Sequence, residues 1–187
     1  MLKRHFPVLL LILGSLPVQA ATEHEIDEST GIERWHVVDD RIEVSLTQIL
    51  PDQARAFFVN RGFTSEQAEV YAGACVYMTI VRNTGDEPLD FDMRDWSVRG
   101  HQSDARLKLR QEWMQRWARE ALGQAERIAF EWSQFPTEQQ YRPGDWNQGM
   151  TTIMTKPGAQ FDLTLRWQTG QAHHDITLEG IRCAIDA

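Results

Sequence analysis

Apolar and polar residues alternate along most of this chain, and the period of the alternation changes at identifiable places. Ile42, Val44 and Leu46 recur at every second position, as one buried strand face requires. Pro51-Asp52 opens a short helical stretch through Phe57, Phe58 and Val59 that Gly62 is placed to end. Thr64 and Gln67 have capping-box spacing, which predicts a second helix ending near Gly73. Cys75 to Val81 is a dense run of strand formers, followed by a turn at Asn83-Thr84-Gly85-Asp86. Leu89, Phe91 and Met93 alternate after it, so the stretch predicts a β-hairpin. Trp96 and Val98 extend the alternation toward Gly100.

Between Asp104 and Gly123 the period lengthens. Leu109, Trp113, Trp117 and Ala121 lie four apart and predict one helical stripe, with Asp104 to cap its start and Gly123 its end. Period two returns at Ile128, Phe130 and Trp132, the signature of another strand. Beyond a Pro- and Gly-punctuated loop at 136–149, Phe161, Leu163, Leu165 and Trp167 predict one strand. Ile176, Leu178, Ile181, Cys183 and Ile185 predict the next, joined by a turn at Thr169-Gly170-Gln171. The change of face at Glu179-Gly180 predicts a bulge.

This order predicts a mainly β chain: one β-sandwich domain over residues 35–187, with helical insertions near 51–73 and 104–122. The segment from Cys75 through Met93 resembles the strand–turn–strand of immunoglobulin-like periplasmic domains, which implies an immunoglobulin-like sandwich. Residues 21–34, rich in Glu and Asp, read as a mobile polar lead-in. Residues 1–20 have the pattern of a cleaved signal peptide: basic Lys3 and Arg4, an apolar run from Val8 to Leu13, then Val18-Gln19-Ala20. That run falls well short of the roughly 20 apolar residues that cross a bilayer. The expectation is export to the periplasm without stable membrane insertion.

The net charge of −8 becomes −10 once residues 1–20, which carry Lys3 and Arg4 and no acid, are removed. So acidic a surface argues against a nucleic-acid partner, whose phosphates need clustered Lys and Arg. Cys75 and Cys183 are the only cysteines, and in an oxidising compartment an even pair reads as one disulfide. A pair of soft metal ligands or a redox couple is the competing reading, but no Cys-x-x-Cys spacing exists.

Metal chemistry, copper above all, has Met150 and Met154, four apart, and the adjacent His173 and His174 as its candidate ligands. Met78, Met93 and His101 stand behind them, the first two also fitting as core filler. Neighbouring residues on a strand point to opposite faces, so the His pair chelates together only on an irregular backbone. Cleavage after Ala21 would make His24 the third residue and complete an N-terminal copper clamp; cleavage after Ala20, which fits the small-residue rule better, removes it. Asp86, Glu87, Asp90, Asp92 and Asp95 crowd one region, yet their alternation with Leu89 and Phe91 describes a solvated strand face rather than a calcium cage.

The stretch from Tyr141 to Met150 gathers Tyr141, Arg142 and Trp146 among flexible glycines, and those large types concentrate in interface hot spots. With Trp96 they form the candidate partner surface, unless the loop tucks Trp146 onto the core. Trp113 and Trp117 read as core unless they form an exposed patch. No Gly-x-Ser-x-Gly, Ser-x-x-Lys, phosphate loop or His-Glu-x-x-His occurs. The expectation is therefore a non-catalytic periplasmic protein, without cofactor, that binds another exported protein as accessory factor or inhibitor. A copper chaperone serving an exported enzyme is the alternative, and a carbohydrate-binding or hydrolytic domain the third reading.

Overall fold

The computed structural model describes residues 22–120 and 122–186. The chain runs through strands β1 (Glu23–Ile26), β2 (Glu33–Val38) and β3 (Ile42–Ile49), then helices α1 (Pro51–Val59) and α2 (Ser65–Ala72). Strands β4 (Cys75–Asn83), β5 (Leu89–Asp92), β6 (Ser97–Gly100) and β7 (Arg106–Lys108) follow. Helices α3 (Arg110–Arg119) and α4 (Gln124–Ser133) precede β8 (Glu138–Tyr141), β9 (Trp146–Met154), β10 (Gln160–Thr169) and β11 (Ala172–Arg182). The strands form two antiparallel sheets. The first has the order β1-β2-β3-β4-β9-β7; the second has β11-β10-β5-β8, with β6 also paired to β10.

The apolar run in β4 has a direct cause: this strand is buried on both faces, so neither face needs polar positions. Cys75, Tyr77 and Val81 join the core between the sheets, where they meet Phe161, Leu163 and Leu165 of β10. Val76 points the other way, into a second core roofed by the helices. There α1 supplies Ala54 and Phe58, α2 Tyr71, α3 Trp113 and Trp117, and α4 Phe130. In β9, Ile153 serves the first core and Met150 the second. The stripe Trp113/Trp117 is therefore core, its rings stacked at 5.4 Å.

Several local signals hold as read. Pro51 begins α1, Thr64 and Gln67 exchange both capping-box bonds, and Gly62 adopts φ +90°, a conformation that side chains resist. Thr169 pairs with Ala172 across a two-residue turn. Glu179 and Gly180 together oppose Asp162, a bulge with Gly180 at φ +65°. The disulfide joins Cys75 to Cys183.

Five expectations change. The lead-in at 21–34 is not loose chain: β1 pairs with β2 along Glu23–His36 to Ile26–Glu33. The residues after Cys75 do not form a hairpin, because β4 belongs to the first sheet and β5 to the second. Met93 sits in a 3-10 turn rather than a strand. Helix α3 starts after Leu109, not Asp104, and Gly123 precedes α4 instead of ending α3. The expected strand at Ile128, Phe130 and Trp132 is helical. Phe130 is buried with half-buried Glu126, Ala129 and Ser133 at helical spacings, while Ile128 and Trp132 (86% exposed) share the outer side. Two exposed residues flanking a buried one imitate period two over so short a stretch. The signal-peptide reading concerns residues outside those described. No helix among the described residues is long and apolar enough to cross a membrane.

Asn83 explains the crossing between sheets. Its amide donates to the carbonyls of Glu87 (2.8 Å) and Tyr141 (3.2 Å), and its Oδ1 accepts from the Gly85 N–H (3.0 Å). Its own backbone closes on the turn before β9, with Asn83 N–H to Asp145 O at 2.9 Å and Gly144 N–H to Asn83 O at 3.0 Å. Both chain crossings, β4 to β5 and β8 to β9, thus meet at one buried side chain. Asn83→Ala removes three hydrogen bonds and leaves the Glu87 and Tyr141 carbonyls without this donor, while the Gly85 N–H keeps Arg41 O at 3.2 Å. A loss of about 2–4 kcal/mol is expected in urea unfolding, since each orphaned group costs roughly 1–3 kcal/mol. A loss below about 0.5 kcal/mol, the level of an ordinary surface change, would show that the crossings are held elsewhere.

Candidate functional site

The turn at 142–145 is rigid. Arg142 N–H donates to Asp145 Oδ2 and Asp145 N–H to Arg142 O, both at 2.9 Å, and Gly144 takes φ +83°. Of the four candidate contact residues, this turn presents two. Arg142 is exposed, and Trp146, the first residue of β9, is 52% exposed. The other two are core. Tyr141 is 1% exposed in a row with Leu89, and burial pushes its phenol well above its ordinary value. Trp96 is 7% exposed, packs against Phe91 and Phe135, and donates its indole N–H to Arg166 O at 3.2 Å.

Strand register places Trp146 in a cross-sheet row with Arg82, Glu43 and Val38. The next row holds Gln148, Ile80, Ser45, His36 and Glu23. Glu43 accepts His36 at 3.2 Å and lies 3.6 Å from Arg82, the cross-strand neighbour of Trp146. The helical layer covers Val76 and Met150 on this face of the sheet and leaves Trp146 bare. The result is an aromatic side chain on a rigid strand, with polar groups around it.

Among the metal candidates Met78 and Met150 are cross-strand neighbours, but the methionines are not brought together with the histidines. Met150 is buried and Met154 half-buried against the helical core, while Met78 is half-buried and Met93 buried. His173 is exposed on β11; His174 stacks on Trp167 and bonds Thr169 Oγ1 at 2.8 Å. The two imidazoles follow regular strand alternation, the arrangement that prevents joint chelation. His24 lies on β1, stacked on Trp35 at 4.9 Å with Nε2 2.7 Å from Glu33 Oε2. Among the described residues no group of three or more His, Cys, Asp and Glu is placed to hold an ion. Asp90 and Asp92 occupy the outer face of β5, as their alternation implied.

A second feature is legible only in three dimensions. A polar cleft of about 1070 Å³ opens where the β1–β2 edge meets β11, lined by His24, Trp35, Arg99, His101, Asp162 and Gly180 among others. Asp162, 4% exposed, accepts His101 Nε2 (2.8 Å), an Arg99 N–H (2.6 Å) and the Gly180 N–H (3.0 Å) freed by the bulge. Burial raises its carboxyl, but these three donors outweigh it and hold the group below the usual carboxylate value. The two imidazoles that line the cleft each pair with a carboxylate, His101 with Asp162 and His24 with Glu33 behind it. Neither imidazole is bonded to a Ser, Thr or Cys among the described residues, so neither is set beside a nucleophile. Alternation with Phe161 and Leu163 puts Asp162 on the outward strand face, where an acid reads as solvated, so nothing local in the chain marked it as buried.

No protein-family model matches this sequence, and no curated protein matches it. A solved structure with some likeness is a Bacillus subtilis protein, YcdA, described as a "putative lipoprotein". The likeness has a TM-score of 0.43 at 12% identity, over 78% of this chain and 38% of that one. This chain thus spans well under half of that protein's length, and a likeness of that size supports no statement about function.

Asp162→Asn removes the charge from three donors and is expected to cost about 1–3 kcal/mol at neutral pH. The sign with pH follows from the depressed value. Stabilisation is complete above the ordinary carboxylate range and is lost as pH falls through the lowered one. Urea unfolding of both proteins near pH 7 and at about pH 3 should therefore show the gap closing in acid. A gap that keeps its full size in acid would mean that shape, not charge, holds the site.

Proposed function

We propose that this chain is an exported, non-catalytic binding protein that engages another exported protein through the outer face around Trp146. The observation that carries the reading is the half-exposed indole on β9, held by the clamped turn at 142–145, with Arg82 across from it, Gln148 next on the same strand face and Glu43 beyond Arg82. A large aromatic anchor with a polar surround is the usual make-up of an interface hot spot. The partner it fits offers a pocket for an indole and a basic rim, since this chain has a net charge of −8. Accessory factor and inhibitor are the two roles such a contact serves.

Export to the periplasm is supported by the Cys75–Cys183 disulfide, a bond that persists in oxidising compartments, and by the Lys3-to-Ala20 pattern. The immunoglobulin-like character proposed for the sandwich is supported by its architecture. Two antiparallel sheets face each other and one disulfide crosses between them.

The test is affinity capture from a periplasmic extract with wild type beside Trp146→Ala and Arg142→Ala. Trp146→Ala should weaken capture by about thirtyfold or more, the effect of removing an anchor worth roughly 2 kcal/mol, and Arg142→Ala less. The same partners retained in the same amounts by Trp146→Ala would remove this face from consideration.

A further inference from the structure

Residues 106–120 carry five basic side chains and two acidic ones, in a chain whose net charge is −8. The fold concentrates four of those cations. Arg106 and Lys108 come from β7, the edge strand beside β9; Arg116 and Arg119 come from the last turn of α3. Part of this charge has a local reason. Arg116 and Arg119 complement the C-terminal end of the helix dipole. Arg106 pairs with Glu112 and Arg116 with Glu120, each at 2.8 Å.

Lys108 has no such reason. Among the described residues no carboxylate lies within ion-pair reach of it, or of Arg119. Its ammonium sits 3.3 Å from the centre of the Trp113 ring. That indole is itself fixed: its N–H donates to Thr152 Oγ1 at 2.8 Å, and the hydroxyl donates to Lys108 O at 3.0 Å. A lysine that only guarded an edge strand would extend into water. This one is half-buried on a rigid ring, and burial, then repulsion from Arg116, Arg106 and Arg119 against the pull of Glu112, holds its ammonium below the ordinary value. With two carboxylates for four cations, the surplus positive charge is relieved when an anion enters.

We propose that Lys108, with Arg106, Arg116 and Arg119 around it, is a binding site for a phosphate-type oxyanion, either free or carried on a lipid headgroup. The ammonium supplies a point charge from the aromatic platform, and the guanidinium forks supply paired donors suited to planar O–P–O edges. This site is separate from the Trp146 face in residues and in ligand chemistry.

Lysine is scarce in the chain: Lys3, Lys108 and Lys156 are the only three, and Lys156 is exposed in the turn before β10. Amine acylation of the full chain, read by peptide mass spectrometry, therefore reports on Lys108 with Lys156 as its internal control. Labelling is compared in inorganic phosphate, in phosphatidylglycerol vesicles, in phosphatidylcholine vesicles and in potassium chloride of matched ionic strength. Lys108 should be acylated about tenfold more slowly when the anion stands at roughly ten times its dissociation constant, with Lys156 unchanged. Protection by inorganic phosphate identifies a small anion, and protection by phosphatidylglycerol alone identifies the headgroup. The variant Arg116→Gln with Arg119→Gln should lose the protection. Equal protection in potassium chloride, no protection of Lys108 relative to Lys156, or protection that survives in a folded double variant would each overturn the assignment. The wild-type comparison decides the matter by itself if the double variant does not fold.

Discussion

Cys75, at the start of β4, and Cys183, just past β11, lie 5.1 Å apart at Cα although 108 positions separate them. On the chain-entropy model, a cross-link closing a loop of about 100 residues contributes roughly 4.7 kcal/mol. Net domain stability is only about 5–15 kcal/mol. One covalent bond is thus comparable with the whole margin by which the chain stays folded, and it ties the first sheet to the second. Tyr77 repeats the tie two residues along, its hydroxyl donating to Arg182 O at 2.7 Å. At the far end of β4, Asn83 reaches the Glu87 and Tyr141 carbonyls. The strand is therefore pinned to the opposite sheet at both ends.

That pinning lets β4 serve two cores at once. Its inward residues meet β10, and Val76 meets the helices, so the helical layer rests on a strand that is already fixed. The helices cover only part of this sheet's outer face, and the bare remainder lies toward Asn83, where Trp146 stands beside Arg82. The proposed contact face is thus a consequence of where the helices stop. The same layer, toward the other end of β9, fixes Trp113 beneath Lys108 of the neighbouring strand β7. The surface chemistry at both ends of β9 depends on one buried partition.

Much of this was legible in the chain because the signals are local. The strand at 42–46, the box at Thr64 and Gln67, the turn at Gly170 and the bulge at Gly180 each rest on a few neighbouring residues. What was not legible is which partner a strand chooses. Alternation through Leu89 and Phe91 reports a buried face, yet it is identical whether β5 folds back on β4 or crosses to the other sheet. The short repeat at Ile128, Phe130 and Trp132 fits both periods, and only packing against Phe58 and Trp117 decides for the helix. Of the expected contact residues, Arg142 and Trp146 lie on the surface and Tyr141 and Trp96 lie inside. Register settles this, because Tyr141 stands opposite buried Leu89. The cleft at Asp162 required three segments to meet, which no local pattern encodes.

The cross-sheet bond is what an oxidising destination makes available, and the folded margin, the two cores and the bare face all rest on it. The most direct measurement is urea unfolding of the protein recovered from an oxidising compartment, beside the double variant Cys75→Ser with Cys183→Ser. The account predicts that the native protein takes up no alkylating reagent before reduction, and that the double variant is less stable by about 3–5 kcal/mol. Two freely alkylated thiols in the native protein, or a double variant within about 1 kcal/mol of wild type, would contradict it.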